Sequence, residues 1–192
     1  MGVCFVGYSL TDSHIDEISA DPLLIWRVVE PEDESVYLHA VEEAAKGSWF
    51  SKLVGKPTPT AKAITFSEHE LRSVDLDKSW DGLNACLKSL VSDLPHFFDG
   101  SGSFGKIEVG YGPALFHHSE ALAQFAARYC AISDSDLLAA FATVDLTKTF
   151  PKQLWMRRDE EAKSYLRENF IALKRFLDHT STHSMGAVLQ FT

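Results

Sequence analysis

Asp75, Asp77 and Asp81 crowd three carboxylates into one short stretch beside Lys78 and Trp80. Carried on one helix, Asp77 and Asp81 stand at i and i+4 and share a face. Carboxylates so paired can hold Mg²⁺ or divide acid and base roles between them. Lys78 works against a metal, because an ammonium group lowers nearby carboxyl pKa values and competes for the same oxygens. A plainer reading gives the acids structural work. Asp75 or Asp77 caps the helix, the other stabilises its positive end, and Trp80 packs inward. Caps far outnumber metal sites, so the plainer reading leads, with Asp81 able to reach a neighbouring loop.

The other constellations are weaker. Gly110-Tyr111-Gly112-Pro113 has neither the spacing of a dinucleotide-binding loop nor the lysine of a P-loop. Glycines flanking an aromatic mark a turn or a bulge in a strand, with Tyr111 standing at it. His117 and His118 are adjacent, so a regular element cannot aim both at one metal, and HExxH is missing. Ser9, Ser67 and Ser119 lack a nucleophile elbow. Cys4, Cys86 and Cys130 form no CxxC pair and sit among apolar neighbours, where a thiol acts as a small hydrophobe. Trp49-Phe50 and Trp155 read as core, or as the rim of a groove. No catalytic residue, metal ligand or cofactor is implied, and the sequence leans away from an enzyme.

The elements that must position these residues follow from periodicity. Gly2–Leu10 reads as a strand rich in β-formers. Thr11, Asp12 and Ser13 offer helix caps, with Ser13 and Asp16 spaced as a capping box. Asp21-Pro22 starts another helix, and the acids from Glu30 to Glu34 favour the start of a third that stops near Gly47. Pro57 and Pro59 mark an exposed loop. Ser67-Glu68-His69-Glu70 is spaced as a capping box before Leu71 and Val74. Trp80, Leu83, Leu87, Leu90 and Val91 form an amphipathic helical stripe.

Asp99–Ser103 reads as a flexible loop, and Ile107–Phe116 as a strand interrupted at Gly110–Pro113. Leu122, Phe125, Ala126 and Tyr129 line a further helix, and Ser133 with Asp136 caps a short one. A long helix from Arg158 to about Thr180 aligns Ala162, Leu166, Phe170, Leu173 and Leu177, with Asp159 and Lys163 able to pair. Met185–Phe191 closes the chain as a strand. Helices outnumber strands, so the expected fold is α+β: a mainly helical single domain over residues 1–192, its helices packed on one small, mostly antiparallel sheet.

Composition narrows the function classes. The 192 residues hold 18 Lys plus Arg against 27 Asp plus Glu, a net charge of −9. That balance argues against nucleic acid, which needs a basic face, and against anionic membranes. It would steer a basic protein or a cationic ligand toward the surface. With no signal-like N-terminus, no long apolar run and no disulfide pattern, the expected location is the cytoplasm.

The opening strand with Gly7-Tyr8, the segment Leu76-Asp77-Lys78-Ser79-Trp80-Asp81-Gly82-Leu83 and the segment Gly110-Tyr111-Gly112-Pro113-Ala114 occur in an order that resembles the YfbM-like family, catalogued as domain of unknown function 1877. The resemblance spans nearly the whole chain; the sequence departs from the family pattern between Glu30 and Ser67 and follows its aromatic-proline segment only loosely at Thr149-Phe150-Pro151. It implies a compact α+β fold of a bacterial protein and carries no catalytic residues with it. The leading expectation is a non-enzymatic acidic module that binds another protein, of basic character, through an aromatic-rimmed surface; an immunity protein that blocks a basic toxin fits that description. The alternative is a small-molecule-binding protein or enzyme with a pocket between the Trp80 helix and the Gly110–Pro113 segment, lined by Asp77, Trp80, Asp81 and Tyr111.

Overall fold

In the C-terminal strand, Ala187 and Leu189 join one apolar cluster while Val188 joins another. Successive side chains of a strand point to opposite faces, so this strand is covered on both sides. The computed structural model describes residues 2–47 and 61–192. The strand, β5 (Gly186–Phe191), is the centre of a five-stranded antiparallel sheet. It pairs with β1 (Phe5–Leu10) from Phe5↔Phe191 to Leu10↔Gly186. On its other side it pairs with β4 (Pro113–His117). β2 (Ser73–Asp77) and β3 (Gly102–Glu108) form the two edges, giving the order β2-β1-β5-β4-β3.

Two helical layers enclose the sheet. One contains α1 (Asp12–Ala20), a 3-10 turn at Pro22–Ile25, α2 (Trp26–Val29) and α3 (Glu34–Gly47). Their Ile15, Ile18, Ile25, Val28, Tyr37 and Val41 pack with Leu10, Phe104 and Val188. The other contains α4 (Trp80–Leu90), α5 (Ser119–Tyr129), α6 (Asp134–Thr143), α7 (Lys152–Arg157) and the long α8 (Glu160–Thr182). Leu83, Phe125, Phe141, Trp155, Leu166 and Phe170 from these helices meet Phe5, Leu76 and Leu189. The expected α+β architecture is therefore present, and the helices cover both faces of the sheet. No described helix is long and apolar enough to cross a membrane.

Local chemistry explains the helix ends. Ser133 and Asp136 form the expected reciprocal capping box at the start of α6. Asp159 caps α8 by accepting the Ala162 amide at 3.0 Å, so the ion pair of Lys163 goes to Glu160 instead of Asp159. Arg158 adopts a left-handed conformation with φ 53°. From there its guanidinium donates to the carbonyls of Phe141, Ala142 and Val144, closing the C-terminal end of α6 where carbonyls lack helical partners.

Several local expectations need correction. The first strand begins at Phe5, and α1 is capped by Thr11 instead of Ser13. Ser67–Glu70 does close with Glu70 accepting the Ser67 amide, but a turn and then β2 follow, with no helix. Glu70 is drawn inward to accept from the Thr11 amide and hydroxyl and to pair with His14 at 2.5 Å. Asp99–Ser103 is the end of a 3-10 turn and the start of β3. The interrupted strand at Ile107–Phe116 is a β-hairpin turning at Gly110–Gly112. Trp49, Phe50, Pro57 and Pro59 lie outside the described residues.

Candidate functional site

Asp75 and Asp77 belong to β2, and α4 starts only at Trp80. The helix face expected to join Asp77 to Asp81 therefore does not exist. Asp75 accepts the Asp77 amide at 2.7 Å, a bond that holds the strand end as it turns at Asp77 with φ 44°. Asp tolerates that left-handed conformation better than most residues. Asp81, one residue into α4, accepts the Phe150 amide at 2.8 Å and ties the helix to the segment preceding α7. This is the reach to a neighbouring loop that its position allowed.

Beside Asp77 lies a cleft of about 400 Å³, lined by Asp77, Lys78, Pro151, Leu154, Glu161, Ser164, Tyr165 and Glu168. The end of β2, the start of α7 and the first half of α8 supply these walls. On α8, positions 161, 164, 165 and 168 recur at helical spacing and so share one flank. Tyr165 donates its hydroxyl to Asp77 at 2.7 Å and accepts the Lys78 amide at 3.2 Å. Cys4 donates its thiol to the second Asp77 oxygen at 3.2 Å. Ser164 donates to Glu168 at 2.7 Å. Trp155, fully buried, stacks on Tyr165 with ring centroids 5.8 Å apart and fixes that wall from behind. Trp155 is thus core, and its indole N–H donates to the Phe150 carbonyl.

The electrostatics follow from these contacts. Burial alone would raise the Asp77 carboxyl, but the hydrogen bonds from Tyr165 and Cys4 and the charge of Lys78 outweigh it, and Asp77 stays below the ordinary carboxylate range. Its partners move the other way. Tyr165 is pushed up by burial and by the carboxylate it faces, and Cys4 likewise. Asp77 is consequently ionised near neutral pH. A general base needs a pKa near the working pH, so the arrangement suits holding a positive charge better than moving a proton.

The family-model comparison covers nearly all of this scaffold. The model described as domain of unknown function DUF1877 matches residues 1–189. The chain belongs to the DUF1877 family. Among solved structures it is similar to YfbM from Escherichia coli, described as a protein of unknown function, at 15% identity and a TM-score of 0.46, covering 98% of this chain and 99% of that one. No curated protein matches the chain.

In this DUF1877 chain the four residues singled out from the sequence do not converge. Asp77 lines the cleft. Trp80 is half-buried and turns toward the start and end of the chain, donating its indole N–H to the Val3 carbonyl and meeting Phe191 at 4.9 Å and Phe98 at 5.9 Å. Tyr111 is 61% exposed at the hairpin tip, with its amide bonded to the Phe191 carbonyl. Gly110 passes so near that carbonyl that a Cβ there would overlap it. Between α4 and the hairpin the space thus holds Phe191, and the cleft opens on the α7–α8 side.

Tyr165, Glu161 and Glu168 escape the sequence reading because the apolar stripe of α8 lies on another face of the helix. A second, polar stripe at 161, 164/165 and 168 was the available signal. Of the three cysteines only Cys86 is buried as a small hydrophobe would be; Cys4 is half-buried and bonds Asp77, and Cys130 is exposed. His117 is buried between Ser101 and the Phe97 carbonyl, whereas His118 faces Asp16, so the adjacent histidines diverge.

Proposed function

We propose that this protein is a non-enzymatic binding module whose acidic cleft receives a lysine or arginine side chain of a basic protein partner. The observation that carries the reading is the cleft itself. Asp77, Glu161 and Glu168 line one concavity with Lys78, Tyr165 and Leu154, and Glu161 also pairs with Arg157 at 2.8 Å. Asp77 is held ionised by donors that leave it little to gain from a proton. The net charge of −9 favours encounter with a basic surface. Partly apolar walls suit the methylene stem behind a cationic head. The three cysteines are unpaired, which fits a reducing, cytoplasmic setting.

A second reading has its own support: about 400 Å³ is within the range of small-molecule pockets, so a free amine of that size suits the same charges. Amide-resolved NMR titration separates the two. A short arginine- or lysine-rich peptide is expected to shift Lys78, Ser164 and Tyr165, and Asp77→Asn to weaken it about tenfold, the loss of one charge-assisted contact. A capped single arginine binding as tightly as the peptide would favour the small-molecule reading. Peptides that leave these resonances unmoved would sink both.

A further inference from the structure

The seam between β2 and α8 has a second depression, of about 230 Å³, lined by Arg72, Ser73, Val74, Asp75, Ala172, Arg175 and Phe176. It lies toward the start of β2 and the middle of α8, past the cleft at the other end of the strand. Val74 and Phe176 are buried and form an apolar floor; Arg72 and Arg175 are exposed above it. The arginines that form ion pairs among the described residues are Arg27, Arg128 and Arg157; Arg72 and Arg175 are not among them. Two guanidiniums beside one depression, in a chain of net charge −9, are a local reversal of sign.

The reversal extends along the helix. Arg175 and His179 stand at i and i+4 on one face of α8, and His183 is the residue at which the helix ends. His69, just before Arg72, stacks on His183 with ring centroids 3.9 Å apart, and His179 lies 4.7 Å from His183. The stacked His69 and His183 rings keep their nitrogens in nearly parallel planes, a poor arrangement for sharing one metal, and His179 Nε2 already bonds the His69 carbonyl at 2.9 Å. The charges bearing on His183 are His69, His179 and Arg72 against Glu68 alone. Glu68 itself approaches His69 at 3.5 Å and is largely exposed. Asp75 is the one carboxylate in the depression, and one of its oxygens already accepts the Asp77 amide.

From this juxtaposition we infer that the Arg72–Ser73–Arg175 groove is an anion site for a phosphate group, free or as a phosphomonoester, flanked on the Arg72 side by the stacked His69 and His183 rings. Two guanidiniums and the Ser73 hydroxyl supply the several donors that a tetrahedral oxyanion accepts, and arginine forks match phosphate oxygens in pairs. Phenyl phosphate adds a ring that can rest on Val74, Ala172 and Phe176. A dianion bound there offsets the Arg72 charge that bears on His183 and makes its protonation easier.

The test is histidine and amide NMR of the intact protein at constant ionic strength, titrated with inorganic phosphate and with phenyl phosphate. Saturable shifts at Arg72, Ser73 and Arg175 are expected, together with a rise in the His183 titration midpoint. Arg72→Gln and Arg175→Gln, both at exposed positions, should each weaken binding about tenfold, while Asp75→Asn should tighten it. Tighter phenyl phosphate identifies an ester as the ligand; equal affinity identifies the free ion. Shifts that chloride reproduces at matched ionic strength, or that both arginine variants retain, would overturn the inference.

Discussion

The two ends of β2 meet the same helix and carry opposite chemistry. At Asp77 the seam with α8 is acidic, and Tyr165, Cys4 and the Lys78 amide knit it into a hydrogen-bonded site. At Arg72 it is basic, and its guanidiniums stand over Val74 and Phe176 without ion-pair partners among the described residues. One end is preorganised by the protein's own donors; the other keeps its donors available. Fold and charge are thus separable along a single strand. The inward residues Val74 and Leu76 are both buried, whereas the outward Ser73, Asp75 and Asp77 are exposed and free to differ in charge. Glu70 completes the contrast. Two residues before Arg72, it is a carboxylate at the basic end, but it is only 1% exposed and spent on Thr11, His14 and Ser67.

Removing Glu70 should have the largest effect on stability. Glu70→Ala orphans the Thr11 and Ser67 amides and is expected to cost about 3 kcal/mol in chemical denaturation, in the range for breaking a buried charged network. Burial would raise Glu70, yet the bonds from Ser67, Thr11 and His14 prevail and lower it from 4.5 to about 2. A depressed carboxyl contributes stability that is full above its unfolded pKa and is lost as pH falls toward the folded one. The acid limb of the wild-type stability curve should therefore steepen below 4.5 and continue toward about 2, and should flatten in the variant. A loss within about 0.5 kcal/mol would place Glu70 among ordinary surface acids.

Gly82→Ala tests the acidic end from behind. A Cβ there would lie 2.7 Å from the Trp155 ring, so the ring must shift, and with it its stacking partner Tyr165. The expected cost is about 2 kcal/mol, with amide shifts in the cleft and none in the Arg72 groove. Tyr165→Phe should cost about 1 kcal/mol and raise the Asp77 titration midpoint, read by carboxyl carbon NMR. An unmoved midpoint would mean that the hydroxyl does not hold the charge. Smallest of all, Cys4→Ala should raise that midpoint slightly and cost less than about 1 kcal/mol, since a thiol is a weak donor.

Much of the frame was legible because it depends on local rules. The stripe of α8, the Ser133–Asp136 cap and the strand character of Phe5–Leu10 and Gly186–Phe191 are written in spacing and residue type. The site was not. Asp77 acquires its meaning from Tyr165, 88 positions away, and no local pattern joins them. The helical reading of Asp77 and Asp81 failed because a strand ended and a helix began between them, and boundaries are set by tertiary pairing with β1 as much as by propensity. Glu70 shows the reverse case: its capping-box spacing was real, but the bond closes a turn and the carboxylate serves a helix elsewhere in the chain.

Whether the Asp77 cleft holds a cationic side chain is read at the residues that line it. Amide NMR of the wild type is followed while an arginine-rich peptide is added, then repeated with Asp77→Asn. Saturable shifts confined to Lys78, Ser164, Tyr165 and Glu168, weakened about tenfold in the variant and absent from the Arg72 groove, are the predicted result. Shifts spread over the whole acidic surface, or equal in the two proteins, would contradict it and leave the cleft a structural junction between β2 and α8.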